Sequence, residues 1–91
     1  PPQLSISSNA DEPQVLAIAN HTPYGLQPYT PSSTPERACT LANQIDAGRV
    51  LVNTLAREPR APFGGFKQSG IGREYGTFGL EAFLEPKSIL A

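Results

Sequence analysis

Ala61-Pro62-Phe63-Gly64-Gly65-Phe66-Lys67-Gln68-Ser69-Gly70-Ile71-Gly72-Arg73-Glu74 is the stretch on which the reading of this chain turns. It holds four glycines, one proline and two aromatics. Its apolar residues follow neither the two-residue period of a strand nor the period of about 3.6 of a helix. The run therefore reads as irregular backbone, the core of a loop over 54–75, and not as a regular helix or strand. In a short chain a loop of that length is functional or disordered. Arg73-Glu74 closes it, and a charged pair at that place predicts side-chain hydrogen bonds to loop carbonyls and amides.

Outward from the loop, helices and strands alternate. On the N-terminal side, Arg49-Val50-Leu51-Val52-Asn53 is a β-branched apolar run and predicts a buried strand. Before it, Ala38, Leu41, Ala42 and Ile45 fall on one helical face, so a helix is expected over 34–46 with Gly48 as its stop. Ser33 and Glu36 have the spacing of a capping box for that helix. Residues 26–30 read as a weak strand, because Pro28 and Pro31 each remove a ladder donor. Residues 11–20 read as a short helix, with Asn9 or Asp11 as cap, Pro13 in the first turn and Val15, Ile18 and Ala19 on one face. Leu4-Ser5-Ile6-Ser7 alternates like a strand. Beyond the loop, 78–84 predicts a turn or two of helix ended at Glu85-Pro86, and 88–91 a terminal strand with an open edge. The expected class is α/β, with about three to four strands and two main helices, too few for a closed sheet.

Composition narrows the function. The chain has 91 residues, 10 prolines, 8 glycines, one cysteine and no tryptophan or methionine. One domain at most fits that length, and its core is marginal. A net charge of −1 without a Lys/Arg cluster speaks against nucleic acid. No apolar run nears the about 18 residues of a membrane span, and no signal-peptide pattern opens the chain, so a cytoplasmic place is expected. The chain begins Pro1-Pro2, which fits either a removed initiator methionine or a segment of something longer.

Chemistry-bearing motifs are few. Gly65 to Gly70 has the spacing of a phosphate-binding P-loop, but Ile71-Gly72 stands where Lys-Ser/Thr is needed. Gly70-Ile71-Gly72 opens like a dinucleotide fingerprint, but Tyr75 occupies the third glycine position. These glycines read as tight turns. Cys39 lies inside the amphipathic helix with no base beside it and reads as a helix-face residue, not as a nucleophile. His21 is a lone turn histidine without ligand spacing. No carboxylate pair stands out as acid and base. The sequence offers no catalytic residue and no metal site.

Four collinear motifs resemble the aldehyde dehydrogenase superfamily. Ala17-Ile18-Ala19-Asn20-His21-Thr22-Pro23-Tyr24-Gly25-Leu26 is similar to its "IANDTPYGL" element. Gly48-Arg49-Val50-Leu51-Val52-Asn53 resembles its "G-x-V-x-V-N" strand, and residues 62–74 resemble its "PFGG-aromatic-K-x-SG-x-GRE" signature. Residues 79–87 are similar to its "G-L-E-x-F/Y-L-E-x-K" ending. Pro28, Pro31 and Pro35 depart from the smooth "AAYVFS" strand of the family and put that strand's pairing in question.

The resemblance implies a partial catalytic-domain unit over 1–91, with 87–91 starting an oligomerisation-type strand. It implies an oxidoreductase that uses NAD or NADP, attacks the aldehyde with a cysteine thiolate and hydrolyses the thioester with a glutamate base. None of those catalytic or cofactor elements has a match in this chain. What carries over is substrate lining: Phe63 beside the reaction centre, Asn53 at the strand end below it, and Leu55 and Arg57 in the variable mouth loop over 54–60. The chain is thus expected to lack catalysis and cofactor binding of its own. Its implied partners are an upstream aldehyde-dehydrogenase segment or a second copy. The alternative is a stand-alone interaction module built from the same fold.

Overall fold

The computed structural model describes residues 6–91. Three helices and four two-residue strands occur among them, a small α/β unit. Of the expected first strand, Leu4 and Ser5 lie outside the described residues, while Ile6 and Ser7 carry no regular structure.

The first helix, α1, spans Glu12–Asn20. The Asp11 carboxylate caps it by accepting from the Gln14 amide at 3.0 Å, and Pro13 sits in the first turn, where no donor is lost. The second helix, α2, spans Pro35–Ala42 and differs from expectation at both ends. Pro35 takes the first helical position and holds Thr34 extended, at φ −119° and ψ 91°. Ser33 therefore cannot be the cap residue. Thr34 is, without a side-chain cap bond, and the Ser32 hydroxyl accepts from the Thr34 amide at 3.0 Å. At the other end the helix stops at Ala42, and Gly48 plays no part in stopping it. A Cβ at Gly48 would lie 2.7 Å from the Gly64 carbonyl carbon and closer still to its oxygen, so this glycine is where two backbones touch.

A further strand, β1 (Tyr24–Gly25), forms just before the expected strand over 26–30, of which only the end is realised, as β2 (Tyr29–Thr30). Pro28 interrupts the expected run and contributes only its carbonyl, which accepts from the Leu51 amide at 3.0 Å. Strand β2 pairs in parallel with β3 (Leu51–Val52), Tyr29 against Leu51 and Thr30 against Val52. The run 49–53 was expected to be buried; β3 is half-buried in this chain. The glycine-rich stretch is also less irregular than its composition suggests. Phe66–Lys67 forms β4, antiparallel to β1, with Tyr24 opposite Lys67. Phe63 and Glu74 form a bridge with two bonds of 2.8 Å. A third helix, α3, spans Gly76–Glu81. No described helix is long and apolar enough to cross a membrane.

Hardly any core holds these elements together. Among the described residues only Ala38, 2% exposed, and Ala47, 9% exposed, are buried hydrophobic residues. The radius of gyration is 16.6 Å, against about 12 Å for a compact domain of this length. The accessible surface is 7533 Å², where a compact chain of this mass exposes about 5,100 Å². Much of the surplus is apolar and gathers at the C-terminal end, where Phe78, Leu80, Phe83, Leu84, Ile89 and Leu90 all stand exposed. Residues 84–91 form no ladder among the described residues.

Candidate functional site

The clasp over 59–76 shapes the site. At its base the Gly76 amide donates to the Pro59 carbonyl at 3.0 Å. Higher up lies the Phe63–Glu74 bridge. At its tip β4 docks on β1, and the Ser69 hydroxyl accepts from the Gly25 amide at 2.9 Å. Two arginines fasten this clasp from opposite sides. Arg73 donates to the carbonyls of Gly65 at 3.1 Å and Gly72 at 2.7 Å and lies 5.3 Å from the Phe66 ring centre. This is the loop-pinning that its position predicts. The neighbouring Glu74 contributes through its backbone.

Arg49 is the second fastener, and sequence reasoning placed it only as a strand residue. Its guanidinium donates to the carbonyls of Ala61 at 2.8 Å and Pro62 at 3.3 Å, and stacks 5.0 Å from the Phe63 ring centre. A planar fork can do both at once, whereas a lysine ammonium cannot. Tyr75, with its ring centre 6.3 Å from that of Phe63, supports the ring on another side. Phe63 is thereby held by backbone pairing, by a cation and by a second aromatic. Arg49 had one readable signal, a long cation immediately before a β-branched run and close after Gly48.

Beside Phe63 opens a groove of about 400 Å³ lined by Gln27, Arg49, Leu51, Leu55, Ala56, Arg57, Phe63 and Tyr75. Three of the four residues singled out in the sequence, Leu55, Arg57 and Phe63, meet there. Asn53 does not line it. Its side chain is engaged on the other side of β3, where its oxygen accepts from the Ser32 amide at 2.7 Å and its nitrogen donates to the Ser32 carbonyl at 2.8 Å. Asn53 also takes the left-handed conformation at φ 53°, which asparagine tolerates better than most residues. It locks the end of the parallel pair β2–β3.

The titrating groups lie elsewhere. The lining contains aromatic, aliphatic, amide and guanidinium groups, with no thiol, imidazole or carboxylate. Cys39 is exposed on α2. Glu58, in the mouth loop, accepts from both the backbone amide and the guanidinium of Arg60 at 3.0 Å. These bonds, chiefly the side-chain one, hold its carboxyl below the usual range, and the field of Arg49 adds a smaller push in the same direction. No cluster of three metal-ligating side chains occurs among the described residues.

Three amides of the glycine loop bond within the chain: Gln68 donates to the Pro23 carbonyl, Ser69 to Phe66 and Glu74 to Phe63. Gly65 lies so close to Ser69 that a Cβ there would run into it. A second polar knot ties the far end. The Asn20 side chain donates to the Gln44 carbonyl at 2.9 Å and accepts from the Asp46 amide at 2.8 Å. The Lys67 ammonium meets the carbonyls of Asn20 at 3.0 Å and Thr22 at 3.1 Å, a cation at the C-terminal end of α1.

Known proteins resemble this chain in sequence and in backbone. The sequence model of the "Aldehyde dehydrogenase family" matches residues 1–89. A Staphylococcus saprophyticus relative named "Putative aldehyde dehydrogenase" is 46% identical over 88 residues, which are 97% of this chain and 18% of the relative. Aldehyde dehydrogenase C of Pseudomonas syringae, solved as a mutant with NAD+ and octanal, is 44% identical with a TM-score of 0.82, over 86% of this chain and 16% of its own. Succinic semialdehyde dehydrogenase of Streptococcus pyogenes, solved with NADP+, is 36% identical with a TM-score of 0.78, over 82% of this chain and 17% of its own. The chain thus spans less than a fifth of the length of each of these relatives. With sequence motifs, fold and family match in agreement along nearly its full length, this chain belongs to the aldehyde dehydrogenase family.

Proposed function

We propose that these residues form one wall of the substrate passage in an aldehyde dehydrogenase that oxidises an aldehyde to its acid with NAD or NADP. The observation that carries this reading is the groove in which Leu55, Arg57 and Phe63 meet, with Phe63 fixed by Arg49. In the reaction two electrons leave the aldehyde carbon as hydride for the nicotinamide, and water supplies the second oxygen. The chain's own residues hold and orient the aldehyde and exclude water around Phe63. They offer the groove no nucleophile and no base, which supports a shared site, with thiol and cofactor supplied by other residues. The substrate-lining set proposed is Leu55, Arg57 and Phe63 in the groove, with Asn53 beneath it through the β2–β3 lock.

The partner that fits this role is the rest of an aldehyde-dehydrogenase body, with self-association through 87–91 as a further arrangement. Exposed Phe78, Leu80, Phe83, Leu84, Ile89 and Leu90 support either. The same surface is what favours the second reading, an interaction module without catalysis. A cytoplasmic setting accompanies the first reading.

The test is a graft in which these residues replace the matching stretch of the Pseudomonas syringae enzyme. The graft is expected to oxidise aldehydes with its parental cofactor preference and an altered aldehyde preference. Phe63→Ala in the graft should shift aldehyde preference while the KM for cofactor stays put. The isolated chain is expected to be silent. Cofactor-dependent oxidation by the isolated chain, lost in Cys39→Ser, would overturn the reading.

A further inference from the structure

We infer that the aldehyde taken by this groove carries an anionic group, a carboxylate at the end remote from the carbonyl, and that Arg57 selects it. The inference rests on the proposed function and narrows it to a substrate class. Two guanidiniums, Arg49 and Arg57, line the groove, and no acidic residue does. They are not equivalent. Arg49 is committed to the Ala61 and Pro62 carbonyls and to the Phe63 face. Arg57 has neither a salt bridge nor a side-chain hydrogen bond among the described residues. The other ion pairs of the described residues join Arg37 to Glu12, Arg60 to Glu58 and Lys67 to Asp46.

The carboxylate nearest in sequence is therefore already occupied, since Glu58 is bound through its backbone and side-chain bonds to Arg60. Arg60 in this way keeps Glu58 from neutralising Arg57. The groove is left with an uncommitted, fork-shaped cation at its mouth and an aromatic and aliphatic floor of Phe63, Tyr75 and Leu51. That arrangement matches a short aliphatic chain with an anion at its outer end. Bidentate Arg–carboxylate pairing supplies direction as well as strength, and two cations in a lining that holds no carboxylate, one of them partly offset by the field of nearby Glu58, raise the local concentration of anions.

The test compares 6-oxohexanoate with hexanal in the graft described above. The readout is the ratio of their kcat/KM values. Arg57→Ala should lower that ratio about tenfold, the lower end of what a hydrogen bond to a charged group contributes. Arg57→Lys should restore part of it, since charge returns without the fork. Raising ionic strength should depress the ratio in the unaltered graft and hardly affect it in Arg57→Ala. A ratio that ignores Arg57→Ala overturns the inference while leaving the proposed function intact. A graft that oxidises neither compound overturns the proposed function, and this inference with it.

Discussion

Gly48→Ala in the grafted enzyme is the sharpest probe of the clasp. The added Cβ would sit 2.7 Å from the Gly64 carbonyl carbon and 3.3 Å from the Gly65 Cα, with the Gly64 oxygen nearer than either. These obstacles are backbone atoms and cannot rotate away. The backbone at Gly64 and Gly65 must retreat from residue 48. Overpacking of this kind costs about 1–3 kcal/mol. The retreat also pulls the Ala61 and Pro62 carbonyls from Arg49, and charged hydrogen bonds are worth about 1.5–3 kcal/mol each. The two effects are one displacement and do not add in full, so a local loss of about 2 kcal/mol or more is expected. Hydrogen exchange at the Phe63 amide, bonded to Glu74 at 2.8 Å, reads it directly. Exchange should quicken about 30-fold, and aldehyde selectivity should fall with it, because Phe63 loses its cation. Unchanged exchange at Phe63 together with unchanged selectivity would refute the view that Gly48 seats the clasp.

Asn53→Ala removes both bonds to the Ser32 backbone and puts alanine at φ 53°, so a loss of about 2–3 kcal/mol is expected in denaturant melts of the graft; Asn53→Gly should recover the conformational part only. Glu58 titrates below the ordinary carboxylate range, so its bonds to Arg60 are fully kept above the unfolded-state value and are lost as pH falls through the lowered folded value. An NMR titration of the mouth loop should show that acid-side transition, and Glu58→Gln should abolish it. Cys39→Ser should leave aldehyde oxidation by the graft within twofold of the unaltered protein, measured as kcat/KM. The isolated chain should melt without a cooperative transition and bind a hydrophobic dye, because no large side chain among the described residues is fully buried; a sharp, monomeric melt would count against the shared-site reading.

Local signals in the sequence were good guides wherever one residue dominates its own backbone. Asp11 and Pro13 mark the start of α1 because a carboxylate cap and a pre-set φ act within one turn. Arg73 was legible as a pin because it follows the glycines it fastens. Two local signals competed at α2, and the Ser33–Glu36 spacing lost to Pro35, which acts on the residue before it. Apolar periodicity overran the end of α2, because Ile45 keeps the helical phase after the backbone has left it. Strand β4 was hidden for another reason. Its pairing comes from β1, some forty residues earlier, and a two-residue ladder leaves no period to read. The groove was half legible. Leu55, Arg57 and Phe63 entered through resemblance, whereas Arg49 and Tyr75 reach it only by long-range contact.

The way this unit is held explains why it suits a wall. Its long-range ties are polar and directional: Asn20 to 44 and 46, Asn53 to Ser32, Lys67 to the end of α1, Arg49 and Arg73 to loop carbonyls. Such ties fix geometry well but add little net stability each, about 0.5–1.5 kcal/mol for neutral pairs. A buried core normally supplies the larger driving force, and among the described residues the only buried hydrophobic side chains are those of two alanines. The apolar side chains that would build a core point outward instead, most densely over 78–90. The surface exposed beyond that of a compact chain of this mass is about 2,400 Å², at the upper end of the range of about 1,000–2,500 Å² that each side of an obligate interface contributes. The division of labour follows. Polar clasps set where Phe63 stands, and on the proposed reading cohesion is to be gained by covering the apolar side. A groove built this way stays accurate when neighbours hold it and loosens when they do not, so on the proposed reading aldehyde preference would be expressed only within an assembled site.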